Sequence, residues 1–400
     1  MGRKKRKLPE WMHGPASVAL RSALGVPLIF GFDDAHAAIK PLSRAYAALN
    51  AKRTIRAEQH LQVAFPDMSD QERRDIALHG WEHLFTLGLE FAFAPRLLNT
   101  ETWPRYVDIG HIGPAVSHML GGRPVISITG HCGNWEVLGY TIGLLGFRLH
   151  ALYRPLDLKP LDAWVRRTRE SRGLTLVDKF GSLHRLPNIL KPKDGSPGAP
   201  LGFVADQNAG DRGMFVPFFG RLASTYKSIA LLAMHHDAVL LCGSARRLRS
   251  DEPHPPKVLI GPSQRPILDP PDSLRSMGSF RYQVDLADVI LPEEWKTQPD
   301  PLFYITARYR RAIETMVRAA PEQYLWMHRI WKSRPRHERL GRPFPPALRD
   351  KLLALPWMTS AEMDRIIENS ARDARELAST APQGPVEPES AAGAEEDALT

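Results

Sequence analysis

An imidazole held in one tautomer by a carboxylate can take a proton from an alcohol. The heptapeptide Gly130-His131-Cys132-Gly133-Asn134-Trp135-Glu136 carries both groups. In one continuous helix a spacing of five residues sets two side chains about 140° apart, too far for contact. With His131 still in a turn and Glu136 in the first helical turn, the carboxylate can accept Nδ1–H, and Nε2 is left to receive a proton. The deprotonating alcohol would attack a thioester directly, and no acyl-enzyme is needed. Fifteen histidines and 44 acidic residues in 400 positions supply roughly 1.7 such pairs by chance. This is the single one in the chain, and its context gives it weight. A histidine that merely caps a helix is the structural alternative. Cys132 reads as a small buried thiol rather than a nucleophile.

The elements that must position this pair follow from the surrounding pattern. Residues 125–129 (Val-Ile-Ser-Ile-Thr) form an apolar strand, and residues 137–145 a helix. Strands at 148–153, 174–177, 201–205 and 238–245 alternate with helices at 160–171 and 226–235. Residues 257–260 and 282–287 add edge strands, and 303–319 is an amphipathic helix. This alternation predicts an α/β fold, a mixed β-sheet flanked by helices. Ligands in such sheets sit beyond the carboxyl ends of the strands. Upstream, residues 34–100 read as helical, with a capping box at Ser69-Asp70-Gln71-Glu72 starting the longest helix. The aromatic stripe on that helix reads as core. Residues 191–198 form a loop, 335–346 a proline-rich linker, 360–377 a polar helix and 382–400 a disordered tail. The organisation is therefore a basic, amphipathic head (1–33), a helical N-terminal region (34–104), an α/β unit (105–334) and a C-terminal extension (335–400).

Composition restricts the partners. The formal net charge is +9, which favours polyanionic surfaces. Two cysteines exclude a disulfide framework and a Cys-rich zinc site. No run of 18 apolar residues is present, so a confident spanning helix is absent. The leader Arg3-Lys4-Lys5-Arg6-Lys7 beside the apolar stretch 15–32 fits an anionic membrane surface. No aromatic-basic platform or helix-turn-helix pattern supports nucleic-acid binding.

Ordered sequence words point to a family. Residues 128–136, Ile-Thr-Gly-His-Cys-Gly-Asn-Trp-Glu, resemble the first motif of the lysophospholipid acyltransferase superfamily, in its lipid A biosynthesis (late) branch. Tyr153-Arg154-Pro155-Leu156 resembles the second block. Ala205-Asp206-Gln207-Asn208 and Phe215-Val216-Pro217-Phe218-Phe219-Gly220 resemble the third. Residues 321–329, Pro-Glu-Gln-Tyr-Leu-Trp-Met-His-Arg, resemble the terminal signature. Gly130 stands where many members have Asn, and the tail beyond 335 is additional.

The resemblance implies His131 as general base with Glu136 as its partner. It implies substrate-binding roles for Arg154, the motif arginine, and Asp206, the motif aspartate, with Gln207 and Asn134 beside them. Gly220 and Thr225 are assigned to an anion-binding helix N-terminus. His328 reads as packing. No metal and no cofactor are expected. The expected donor is acyl carrier protein or acyl-CoA, and the acceptor a lipid A precursor or related glycolipid. The expected location is the cytoplasmic face of the inner membrane. Another lipid acceptor, or a non-catalytic lipid-binding protein of the same fold, stays open at this point.

Overall fold

The computed structural model describes residues 9–171, 173–179, 184–191, 198–249, 251–252 and 278–380. The chain begins with α1 (His13–Gly25), a 3-10 turn at Val26–Ile29, α2 (Phe32–Leu49), α3 (Ala51–Ala64) and α4 (Asp70–Leu97). The capping box opens α4 as expected. Glu72 N–H donates to Ser69 Oγ at 3.3 Å, and Ser69 N–H donates to the Glu72 carboxylate at 2.7 Å. The aromatic stripe of α4 is largely core. Trp81 is fully buried, and its indole N–H donates to Thr54 Oγ1 at 3.0 Å.

The alternating region follows: β1 (Val107–Ile109), α5 (Gly113–Leu120), β2 (Val125–Thr129), α6 (Trp135–Leu144), β3 (Leu149–Tyr153), α7 (Lys159–Glu170), β4 (Leu174–Asp178), α8 (Leu186–Leu190) and β5 (Leu201–Val204). After these come β6 (Met214–Phe218), β7 (Arg221–Thr225), α9 (Lys227–His236), β8 (Val239–Arg247), β9 (Tyr282–Ile290), α10 (Pro292–Trp295) and α11 (Pro301–Ala319). The chain closes with α12 (Arg336–Arg339), α13 (Pro346–Leu353) and α14 (Ser360–Thr380).

Among the described residues, seven strands form one mixed sheet in the order β1-β9-β8-β2-β5-β3-β4. Every neighbouring pair is parallel except β8 with β9. β2 lies centrally, and helices cover it on both faces. Burial on both faces gives it apolar residues at 125, 126 and 128, with the half-buried Ser127 between them. Parallel strands need crossovers, which the intervening helices supply.

Three expectations change. Tyr282–Ile290 is an interior strand between β1 and β8, not an edge. Residues 221–225 form β7, antiparallel to β6, so Gly220 lies in a hairpin and not at the N-terminus of the helix, which begins at Lys227 close to the expected 226. Gly220 makes the hairpin turn at φ 67°. The region after 334, expected as a linker and polar helix, docks on that hairpin. Asp373 of α14 accepts two hydrogen bonds from Arg221, at 2.6 and 2.8 Å, and another from Arg334. Docking is thus charge-paired in a buried setting, which hydropathy cannot reveal. The basic leader 3–7, the strand expected at 257–260 and the tail 382–400 lie outside the described residues. Among the described residues no helix is long and apolar enough to cross a membrane.

Candidate active site

The turn after β2 is held from three sides. Gly133 has φ 59°, and a Cβ there would lie 2.2 Å from the Ala245 carbonyl oxygen. Only glycine fits both the conformation and the approach. Its N–H donates to Gln323 O at 2.9 Å, while Asn134 N–H donates to Ala245 O at 2.7 Å. Leu325 N–H donates to His131 O at 3.3 Å. Gln323 in turn pairs its side-chain amide with both backbone groups of Arg247, at 2.8 and 2.9 Å. The terminal signature therefore braces the first motif.

Asn134 is a helix cap. Its Oδ1 accepts the N–H groups of Glu136 and Val137 at 2.9 and 3.0 Å, starting α6 at Trp135. Its Nδ2 donates to Glu90 at 2.6 Å, and Glu90 also accepts from Arg247. Asn134 and Glu90 are both buried, so Asn134 is committed to the protein and does not face substrate.

The partner of His131 is Asp206. Nδ1 and Oδ1 are 2.6 Å apart, across 75 residues of sequence. Strand register explains the meeting. Thr129 pairs with Val204 in the parallel β2–β5 ladder, so His131 and Asp206 each stand two residues past the paired position. Arg310 of α11 donates to the Asp206 carbonyl at 2.6 Å. Burial opposes the Asp206 charge, but the facing imidazole, its hydrogen bond and the nearby Arg310 guanidinium outweigh it. They hold the carboxyl well below the usual carboxylate range. An ionised carboxylate only accepts, so the imidazole carries its proton on Nδ1 and leaves Nε2 basic.

Glu136 does not fill the role of partner. The Asn134 cap turns it into α6, where its carboxylate accepts from Arg169 of α7, with Nε at 3.0 Å. Trp135, not Glu136, packs on His131, with ring centroids 4.8 Å apart. Burial opposes the Arg169 charge, yet Glu136 outweighs it and raises the guanidinium above its ordinary value.

His328 lies edge-to-face with His131 at 5.1 Å. Burial, with His131 close by, pushes it down to about 4. Expected as packing, it stands ring against ring with the candidate base. Burial, aided by Asp206, pushes the Cys132 thiol up to about 12, which excludes it as a thiolate nucleophile.

A cavity of about 760 Å³ opens beside this pair. His131, Trp135, Glu136, Arg154, Arg169, Lys179 and Gln207 line it, while Leu138, Ile142, Leu145, Leu149 and Leu174 supply apolar wall. Ser127, Gly202 and Ala151 also line it. They are lateral neighbours on β2, β5 and β3, so a row of small side chains makes a floor facing α6. The size and apolar lining suit an alkyl chain.

Of the expected binding residues, the structure thus brings Arg154 and Gln207 to the cavity and Asp206 to the histidine. It removes Asn134, Gly220 and Thr225. Gly220 O accepts from Asn369, and Thr225 is fully buried with its hydroxyl donating to Ala223 O at 3.0 Å. Both belong to the hairpin. Sequence reasoning missed Arg169 as a site residue, although the basic helix containing it was visible. It also missed Lys179, Glu90 and Arg310. Nothing in their local sequence distinguishes them, since tertiary packing supplies their partners.

The chain is similar to proteins of one family. The family model described as bacterial lipid A biosynthesis acyltransferase matches residues 20–266. A lipid A biosynthesis lauroyltransferase of Escherichia coli (strain K12) is 24% identical over 290 residues, 71% of this chain and 80% of the relative. A lipid A biosynthesis palmitoleoyltransferase of the same strain is 22% identical over 292 residues, again 71% and 80%. A lipid A biosynthesis acyltransferase of Haemophilus influenzae is 23% identical over 300 residues, 72% and 79%.

Proposed function

This chain belongs to the bacterial lipid A biosynthesis acyltransferases, and from that membership we propose that it moves a fatty acyl group from a thioester to a hydroxyl of a lipid A precursor or related glycolipid, with His131 as general base. The donor is acyl carrier protein or acyl-CoA. The work is done at the cytoplasmic face of the inner membrane. The observation that carries this reading is the 2.6 Å His131–Asp206 hydrogen bond beside an apolar cavity that His131 lines.

The acceptor hydroxyl gives its proton to His131 Nε2 as its oxygen attacks the thioester carbonyl carbon. Asp206 stays ionised and stabilises the imidazolium. Collapse of the tetrahedral intermediate breaks the C–S bond, and the imidazolium returns the proton to the departing sulfur. Arg169, locked by Glu136, supplies positive charge towards the developing oxyanion. Arg154 and Lys179 line the cavity and are exposed, so they suit the phosphate common to both donors or those of the acceptor. Arg166 on α7, over the ring of the cavity-lining Tyr153 at 5.8 Å, suits an acidic carrier protein. The acyl chain lies along the small-residue floor beneath α6.

The test incubates purified enzyme with a panel of acyl thioesters and lipid acceptors and reads products by mass spectrometry. His131→Ala should stay folded and lose turnover by about 10²–10⁴-fold, the usual worth of a general base. Full turnover in that variant would overturn the mechanism.

A further inference from the structure

α3 begins in a way that is electrostatically unfavourable by itself. A helix N-terminus carries partial positive charge and favours acidic side chains or an oxygen cap. α3 has neither. Its N-cap, Asn50, makes no side-chain capping bond and donates back to Tyr46 O at 3.0 Å, and the first turn holds no acid. Lys52 and Arg53 stand there instead, with Arg56 one turn on. Residues 35–57 contain no aspartate or glutamate. Glu58, the next acid, faces Arg74 Nε at 3.5 Å.

The terminal signature adds a third guanidinium. Arg56 donates to Met327 O at 3.3 Å, and His60, one turn further, meets Trp326 O at 2.8 Å. These bonds lay residues 326–329 along α3. Burial and the like charges of Arg329 and Arg53 lower the Arg56 guanidinium from its ordinary value, and no carboxylate among the described residues offsets them. Arg53 and Arg329 are exposed and Arg56 is half-buried, so a solute can reach all three.

This cluster adjoins the base. His328, next to Arg329, stands 5.1 Å from the His131 ring, and burial, His131 and Arg53 together lower its imidazole. His328 Nδ1 is buried with no hydrogen-bond partner among the described residues, so a polar group beside it would gain a bond. None of Arg53, Arg56, His328 and Arg329 lines the cavity, whose own cations are Arg154, Arg169 and Lys179. Two cationic sets thus lie near His131, one within the cavity and one outside it. An acyl chain in the cavity presents its thioester from within, and the acceptor must then arrive from outside. Guanidinium groups recognise phosphate through paired, charge-assisted hydrogen bonds.

We propose that Arg53, Arg56 and Arg329 bind a phosphate monoester on the headgroup of the acceptor and so present its hydroxyl to His131, leaving Arg154 and Lys179 to the donor. The word acceptor rests on the acyl-transfer reading, whereas phosphate binding is measured without turnover. Full-length enzyme is titrated by calorimetry, with no donor present, with detergent-dispersed lipid A precursor before and after phosphatase treatment. The wild type should hold the phosphorylated form about 10–100-fold more tightly, the worth of one charge-assisted hydrogen bond. Arg53→Gln/Arg329→Gln should lose most of that preference with an unchanged circular dichroism spectrum. In turnover it should raise KM for the phosphorylated acceptor by a similar factor and KM for the thioester less than twofold. Arg342→Gln/Arg349→Gln removes the same charge from other exposed positions and should keep the wild-type preference. A preference that survives in Arg53→Gln/Arg329→Gln would overturn the proposal. So would an equal loss in the control pair, or a rise in thioester KM in place of acceptor KM, since the phosphate would then be the donor's. An enzyme that shows the preference yet acylates no acceptor would keep the phosphate site and sink the acyl-transfer reading instead.

Discussion

Exchanging the two carboxylates near His131, one at a time, separates their roles. Asp206 is 1% exposed and holds Nδ1 at 2.6 Å, so it fixes the tautomer and balances the imidazolium. In Asp206→Asn the amide can face the ring in two ways. With NH₂ inward it donates to Nδ1, and the ring proton moves to Nε2, where it blocks the base. With Oδ1 inward the tautomer survives, but no negative charge meets the imidazolium. Either way most of the base contribution is lost. A fall in kcat of about 10³ is expected, or about 4 kcal/mol of transition-state stabilisation. The fold should survive, because the Arg310 hydrogen bond goes to the backbone carbonyl, which asparagine keeps. Glu136→Gln loosens Arg169 while leaving His131 and Asp206 paired, so roughly a tenfold fall is expected, from a weakened charge-assisted hydrogen bond. The assay is single-turnover product formation by mass spectrometry at saturating substrate, with melting temperature as the folding control. Near-normal turnover in Asp206→Asn, together with a collapse in Glu136→Gln, would refute the reassignment of the histidine's partner.

Other outcomes follow from the same geometry. Burial lowers His60 and His328 to about 4 each, although His60 Nδ1 meets Trp326 O at 2.8 Å, a bond that favours its charge. Between pH 6.5 and 4 the unfolded chain binds protons that the native state refuses, so stability falls as pH falls through that window, by roughly 2–3 kcal/mol per histidine. Urea midpoints across the window should drop less steeply in His60→Gln, and identical slopes would contradict the assignment. Gly133→Ala drives a Cβ onto the Ala245 carbonyl from a left-handed backbone, and should cost roughly 3 kcal/mol of stability by chemical denaturation. Ala151→Phe should shorten the longest acyl chain accepted while leaving short-chain turnover nearly intact. An unaltered chain-length profile would place the acyl group elsewhere.

How much of this was legible beforehand depends on the range of the interaction. Periodicity located β2, α6, β3, α7, β8 and α11 within a few residues, because burial on one or two faces leaves a local mark on the sequence. The capping box at Ser69–Glu72 was readable for the same reason, since it closes within three residues. The β6–β7 hairpin was not foreseen: Gly220 and Thr225 were assigned to the N-terminus of the helix expected at 226–235, which begins at Lys227. Its glycine and hydroxyl residues suit either structure until the partner strand is known. The interior position of β9 depends on β1, a three-residue strand too short to announce itself.

The active site divides along the same line. The sequence alone determined that His131 sits in a glycine turn between a strand and a helix, and that Asp206, Arg154 and Gln207 stand in or just past strand ends. Those are local facts of residue type and order. Only the tertiary structure decided which carboxylate meets the imidazole. Glu136 is five residues away, but the Asn134 cap rotates it into α6 towards Arg169. Asp206 is 75 residues away, but parallel pairing of β2 with β5 sets it beside His131 at 2.6 Å. Sheet register is a long-range property, and no spacing along the chain encodes it.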